Sequence, residues 1–298
     1  MRILIARLYA PVFFFGFIAL SLWLSSWHPG QPAWLLVLLA SAIALSFAAE
    51  AWLPYRREWN QDHRDRWRDV LHASVNEGLA GLGLLAIPFT AALIPTSGLW
   101  PDAWPLWLQL LIAVSVADLG ITLMHLLSHR LPVLWRLHAV HHSVRRMYGF
   151  NGLMKHPLHQ TLEALAGTAP LLMLGMPEHV AALLAFAIAI QLLLQHSNVD
   201  MRLGALRHLF AWAPVHRFHH MKYGKAGDVN FALFFSFWDR LLGTAFYHPH
   251  YRMSSDDLGI GGRPDYPDTY LAQLAAPLLP QGPEGTSPTT PDALLQQP

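Results

Sequence analysis

Eight histidines fall into three spaced groups, and their spacing is that of metal ligands. His125 and His129 stand four apart, His138, His141 and His142 form HxxHH, and His216, His219 and His220 repeat that pattern. Positions i and i+4 of a helix lie on one face about a turn apart, so His125 and His129 can converge on one point. Offsets of zero, three and four give His138, His141 and His142 a shared face if that segment is helical. Neutral imidazole is a common ligand and suits iron, zinc, copper and nickel. One metal takes roughly three or four protein ligands, so eight histidines imply two metals. Packing alone would account for a lone histidine, and for ten of the 18 here, but poorly for three clusters set among apolar segments.

The elements that carry these clusters are membrane helices. The 298 residues are 53% hydrophobic and 13% charged, against roughly 25% charged in a soluble domain. A net charge of +1 gives no nucleic-acid signal. Without cysteine the chain forms neither disulfides nor thiolate-held iron–sulfur clusters, so electrons for any redox step must come from another protein.

Apolar runs at 3–25 and 33–53 are each long enough to span a bilayer. A signal peptide is the rival reading of the first; its length and the lack of an A-x-A-like site favour a retained helix. Glu50 sits near the end of the second, where it could reach the interface. A polar loop at 55–68 with five arginines precedes runs at about 70–94 and 104–124, and Asp118 lies inside the latter. An ionisable group at that depth points to function, with a structural hydrogen bond as the plainer account. Shorter runs at about 161–175 and 180–195, joined by GMPEH, read as a hairpin that returns His196 to the side it left. The Pro- and Gly-rich residues from about 277 onward carry too little apolar surface to repay ordering and are expected to be disordered. Tryptophans near the run ends (Trp23, Trp27, Trp34, Trp52, Trp100, Trp104 and Trp107) form the aromatic belt of a membrane protein.

These elements give an all-α integral membrane protein. It has about four transmembrane helices plus a short hydrophobic hairpin, and a cytoplasmic helical cap carries the histidine clusters. The expected division is 1–54 as an N-terminal helix pair, 55–271 as the catalytic domain and 272–298 as the tail. With the N-terminus in the cytoplasm, the connections at about 26–33, 95–105 and 176–179 face outward and contain no Lys or Arg. The positive-inside rule then places both termini and every histidine cluster on the cytoplasmic side.

The chain from about Asp118 to Thr244 resembles the fatty acid hydroxylase and sterol desaturase superfamily of membrane di-iron enzymes. Asp118 precedes His125, His129-Arg130 follows, and Leu134-Trp135 leads into His138 to Ser143. His156-Pro157, His196-Ser197-Asn198, His216 to His220, Asn230 and Trp238 to Thr244 match further family segments. The aromatic pair usual before the first box is Leu123-Met124 here, Leu126 replaces an Arg, and the acid common after HPL is His159. One family branch has a complete HxxxH where this chain has His196 and then Asp200, which reads as a polar residue at a helix end rather than a ligand.

The resemblance implies His196 as a ninth ligand. It implies two iron ions near the cytoplasmic face, with zinc as the metal that overexpression can load instead. It also implies dioxygen as co-substrate and hydroxylation of a lipid C–H bond, with desaturation as the neighbouring outcome. Asp118, Asn198, Asp228, Asn230 and Asp239 are candidates to orient the ligands. Arg130, Arg217 and Arg240 could hold a lipid head group but read more simply as marking the interface. The implied partners are a fatty acyl, sterol-like or amino-lipid substrate and a separate electron donor (a ferredoxin, cytochrome b5-like protein or reductase), in the inner membrane of a bacterium. A divalent-metal transporter is the alternative from another class. It would place its histidines near the midplane on broken helices, often with internal repeats, whereas these lie at helix ends in a chain without repeats.

Overall fold

A computed structural model describes residues 1–28, 31, 33–93, 97–280 and 285–295, without the side chains of 88–93 and 225–226. Part of each of the first two outward connections, and part of the tail, lies outside these residues. Among them every regular element is helical, and strand-like pairing is limited to two isolated bridges.

Five helices are long and apolar enough to cross a membrane: α1 (Arg2–Trp27), α2 (Ala33–Trp52), α3 (Arg66–Leu93), α4 (Leu106–Arg130) and α7 (Glu178–Gln195). The hairpin is therefore longer than the sequence runs suggest. Its first arm, α6 (Pro157–Leu174), and α7 each have 18 residues, a rise of about 27 Å against a hydrocarbon core near 30 Å. Polar His159, Gln160 and Glu163 in the first turns of α6 interrupt its apolar run.

α7 is the axis of the bundle and packs on α1, α2, α3 and α4. Some 67% of its apolar window is buried, against 22% for α1 and α2, whose outer faces carry exposed Leu4, Val12, Phe15, Leu36 and Val37. A face of that kind suits lipid rather than water. Trp23, Trp27, Trp52, Trp104 and Trp107 are exposed near helix ends, as a belt requires, whereas Trp100 is buried and donates to Gln109.

Main-chain bonds fix which ends lie together. Arg202 N–H donates to Ala6 and Tyr55 N–H to Asn198, so the start of α1 and the α2–α3 connection share the histidine end. Ser97 N–H donates to Met173, which puts the α3–α4 connection at the opposite end, near the α6–α7 turn. Glu50 does not reach the interface. It is 3% exposed and accepts the N–H groups of Gly149 and Asn198 at 2.9 and 3.0 Å, so it ties α2 to two loops of the histidine end.

At the histidine end a separate apolar cluster forms a cap around Trp59, Met147, Phe218, Met221 and Met253. The tail reaches it: Leu294 is buried in that cluster and Gly285 N–H donates to Gly262. Between α4 and the next helix, α5 (Pro132–His142), the chain breaks at Leu131 (φ −106°, ψ 118°). The residue before proline avoids helical geometry, and proline is well placed in a first turn, so Leu131-Pro132 stops one helix and starts another.

α4 crosses α6 at backbone distance. A Cβ on Gly120 would stand 2.1 Å from the Ala166 carbonyl oxygen, and one on Gly167 would stand 3.1 Å from that of Ala117. Gly120→Ala should push the helices apart and lower stability by roughly 1–3 kcal/mol, as overpacking does. Thermal unfolding in detergent reads this directly, and an unchanged transition would contradict the contact.

Candidate metal centre

All nine expected histidines meet at one end of the bundle, sorted into two adjacent groups. His125, His129, His138, His142 and His219 form one, and His141, His196, His216 and His220 the other. The HxxHH sets do not each serve one point. In α5, positions 138 and 142 are nearly one turn apart and share a face, while 141 lies about 60° round from 138 and faces the second group. The second HxxHH divides in the same i, i+4 against i+3 way, with the two groups exchanged, although the chain passes there from the short helix α8 (Ala213–His216) into a 3₁₀ turn at Arg217–His220. His216 and His220 join His196, and His219 turns to the first group.

Within the first group five pairs of neighbouring Nε2 atoms are 2.8–3.1 Å apart. Within the second, three such pairs are 3.2–3.3 Å apart. Hydrogen bonds among the rings cannot explain this convergence. His125 Nδ1 faces the Phe231 carbonyl at 2.8 Å, and His219 Nδ1 faces that of Val229 at 2.8 Å. Each Nδ1 must therefore carry the proton, which leaves a bare lone pair on each Nε2. Those two Nε2 atoms stand 2.8 Å apart. Two lone pairs at that distance repel unless a cation lies between them.

The spacing also suits metal bonds. Two nitrogens each about 2.1 Å from one ion stand about 3.4 Å apart at a tetrahedral angle and about 3.0 Å apart at a right angle. The four-histidine group matches the first value and the five-histidine group the second. Burial, reinforced by repulsion from neighbouring rings, holds His138, His141, His142, His216, His219 and His220 well below 6.5. Burial pushes His196 down to about 3. These rings are neutral at ordinary pH, the form that binds metal. The two groups touch: His216 and His219 stack at 4.9 Å, and His142 and His220 at 5.0 Å.

One segment fixes the tautomer of three histidines in the first group. Asp228 accepts from His129 Nδ1 at 2.9 Å, Val229 from His219 and Phe231 from His125. The other polar candidates mostly brace this segment. Asp118 accepts the N–H groups of Leu233, Phe234 and Phe235 at 2.8–3.0 Å. Asp239 accepts those of Phe231 and Ala232 and the Thr244 hydroxyl. Asn230, at φ +54°, donates to Val215 and Phe246 and accepts from Phe246 N–H. Asn198 instead pins the loop after His196 to Arg56 and Asn60.

Arg217 is no head-group ligand. It is 3% exposed, donates to the carbonyls of Ser197 and Val199 and stacks on Tyr55. Asp200 belongs to neither histidine group, and His156 caps α6 by accepting Leu158 N–H. A cavity of about 430 Å³ opens beside His129 and His142, walled by Trp135 and carrying Arg130, Lys222 and Asp228. Sequence reasoning missed Lys222, and it missed a buried trio of His138, His159 and Glu163 beside the first group. The four-residue spacing of His159 and Glu163 was the available signal for the trio; the carbonyls of Val229 and Phe231 have none.

The family model described as fatty acid hydroxylase matches residues 110–244, the stretch that holds every one of these histidines. Ornithine lipid hydroxylase OlsE of Rhizobium tropici is 33% identical over 259 residues, covering 84% of this chain and 77% of that protein. The chain belongs to the fatty acid hydroxylase family. Alkylglycerol monooxygenase of Danio rerio is 30% identical over 145 residues, 49% of this chain and 31% of that protein. Methylsterol monooxygenase 1 of Rattus norvegicus is 28% identical over 140 residues, 46% of each. No solved structure matches the chain.

Asp118→Ala would leave three buried N–H groups without acceptors, at about 1–3 kcal/mol each. Thermal stability should fall by several kcal/mol equivalents in total. A variant as stable as the parent would show that the segment does not depend on this carboxylate.

Proposed function

We propose that this chain is a membrane di-iron hydroxylase acting on a C–H bond of an amino-acid-bearing lipid, with one iron held by each histidine group. The observation that carries the reading is the set of tautomer-fixed lone pairs converging at metal-bond spacing. The family is one of di-iron monooxygenases, and the relatives are lipid hydroxylases and monooxygenases, which supports oxygen-dependent chemistry on a membrane lipid. Bound iron would supply dioxygen activation for attack on an unactivated C–H bond.

The chain's own residues do the rest. The Asp228 carboxylate and the Val229 and Phe231 carbonyls hold protons at Nδ1 and so keep Nε2 free for metal. Burial of the rings keeps bulk water from the second group entirely, and from all of the first except the cavity beside His129 and His142. That cavity receives the reacting end of the lipid. Arg130, Lys222 and Asp228 give it charges of both signs, which suits a zwitterionic head, and the ornithine lipid hydroxylase relative agrees with that choice. A separate protein delivers the electrons, since the chain has no cysteine to hold an iron–sulfur cluster.

The loops and helix ends bearing the Lys and Arg residues gather at the histidine end, so we place that end in the cytoplasm of a bacterium and the helices in its inner membrane.

Purified protein should contain about two irons per chain, a number set by ligand count. His138→Ala and His219→Ala should lose iron while still inserting in the membrane. With labelled dioxygen, the parent should place one labelled oxygen in a lipid. Full iron retention in both variants would defeat the ligand assignment; an unlabelled product would defeat the hydroxylase reading. Separately, a reporter fused after Pro298 should signal from the cytoplasm, and a periplasmic signal would reverse the orientation.

A further inference from the structure

His138 lies in the middle of the first group, yet its Nδ1 has no acceptor, unlike those of His125, His129 and His219. On its far side stands the trio's other half. His159 packs its ring 4.5 Å from that of His138, and both residues are 0% exposed. The Ser128 hydroxyl donates to the Met124 carbonyl at 2.7 Å, so its lone pair accepts from His159 Nε2 at 2.8 Å. That assigns the His159 proton to Nε2 and leaves Nδ1 as an acceptor, which is also without a partner. Glu163 Oε1 lies 3.8 Å from that nitrogen, while Oε2 pairs with Lys155.

One donor and one acceptor are thus left unpartnered in neighbouring rings, beside a carboxylate oxygen. A ring nitrogen of His138, one of His159 and a Glu163 carboxylate oxygen all lie within 4.8 Å of one another. Three atoms so placed always have a point no farther than about 2.8 Å from each, within hydrogen-bond reach. A water there accepts from His138 Nδ1–H and donates to His159 Nδ1 and Glu163 Oε1, meeting the two to four partners a buried water needs. A cation suits the point poorly. Lys155 already neutralises Glu163, and His138 Nδ1 carries a proton once Nε2 binds metal.

We propose that His159, Glu163 and Lys155 hold one buried water against Nδ1 of His138, and that His159 is thereby a positioning residue for that ligand. The inference rests on the reading of His138 as a metal ligand through Nε2. Glu163 stands one turn after His159 on the same face of α6 and supplies the carboxylate.

The test compares two substitutions at one position. Asn oxygen can occupy the place of His Nδ1, whereas Gln nitrogen occupies that of Nε2. His159→Gln keeps the Ser128 contact and loses the acceptor; His159→Asn does the reverse. Metal affinity is read by chelator competition, and the ligand field by the visible spectrum of the cobalt-substituted full chain in detergent. His159→Gln should weaken metal binding by about 10–100-fold and shift the cobalt spectrum, the usual scale for a residue that orients a ligand. His159→Asn, and Glu163→Gln with its retained oxygen, should stay within about threefold of the parent. Thermal unfolding checks that each variant folds.

If Gln and Asn weaken binding alike, or neither does, the water bridge is wrong. A third metal per chain that Glu163→Ala abolishes would also overturn it, by making the point a cation site. His138→Ala separates the two readings. If it loses metal while the His159 variants match the parent, only this inference fails; if it keeps the full complement at parental affinity, the ligand reading fails first.

Discussion

Nine neutral imidazoles buried in contact are tolerable only if each nitrogen has something to face. That constraint organises the rest of the molecule. A buried polar atom without a partner costs about 1–3 kcal/mol, and this site would carry many. The segment Asp228–Phe231 resolves part of the problem by accepting three Nδ1 protons, and the lone pairs this leaves on Nε2 create the demand for a cation. Tautomer choice and metal demand are one arrangement.

The segment can serve only if it is itself held. Asp118, an ionisable residue in a membrane helix, spends both oxygens on the main chain of Leu233 to Phe235, and Asp239 does the same for Phe231 and Ala232. The carboxylates touch no histidine, yet they set where three histidines point. Glu50 and Arg217 play a similar part around the turn after His196, one accepting the Asn198 N–H and the other donating to the Ser197 and Val199 carbonyls. These four buried charged residues therefore sit where irregular backbone must be satisfied without water.

The two histidine groups differ in access. The four-histidine group is closed on all sides, while His129 and His142 of the other border the cavity with Trp135, Arg130 and Lys222. An arrangement of this kind suits a site in which one metal position meets the substrate and the other does not.

The sequence alone determined the clustered histidines, the membrane spans, the lack of thiol chemistry and the family resemblance. Those features are local: helical period, run length, composition and short motifs can be read without knowing what packs on what. The tertiary structure decided how the histidines divide, since the rotation of about 60° that turns His141 away from His138 matters only once α5 has a neighbour on each side. It also decided that Glu50 and Arg217 are buried, that the hairpin arms are nearly full spans, and that backbone carbonyls orient two of the clustered histidines. His125 meets the Phe231 carbonyl 106 residues away. Contacts at such separations are fixed by helix packing, down to glycines that let α4 and α6 approach at backbone distance, and no period in the chain encodes them.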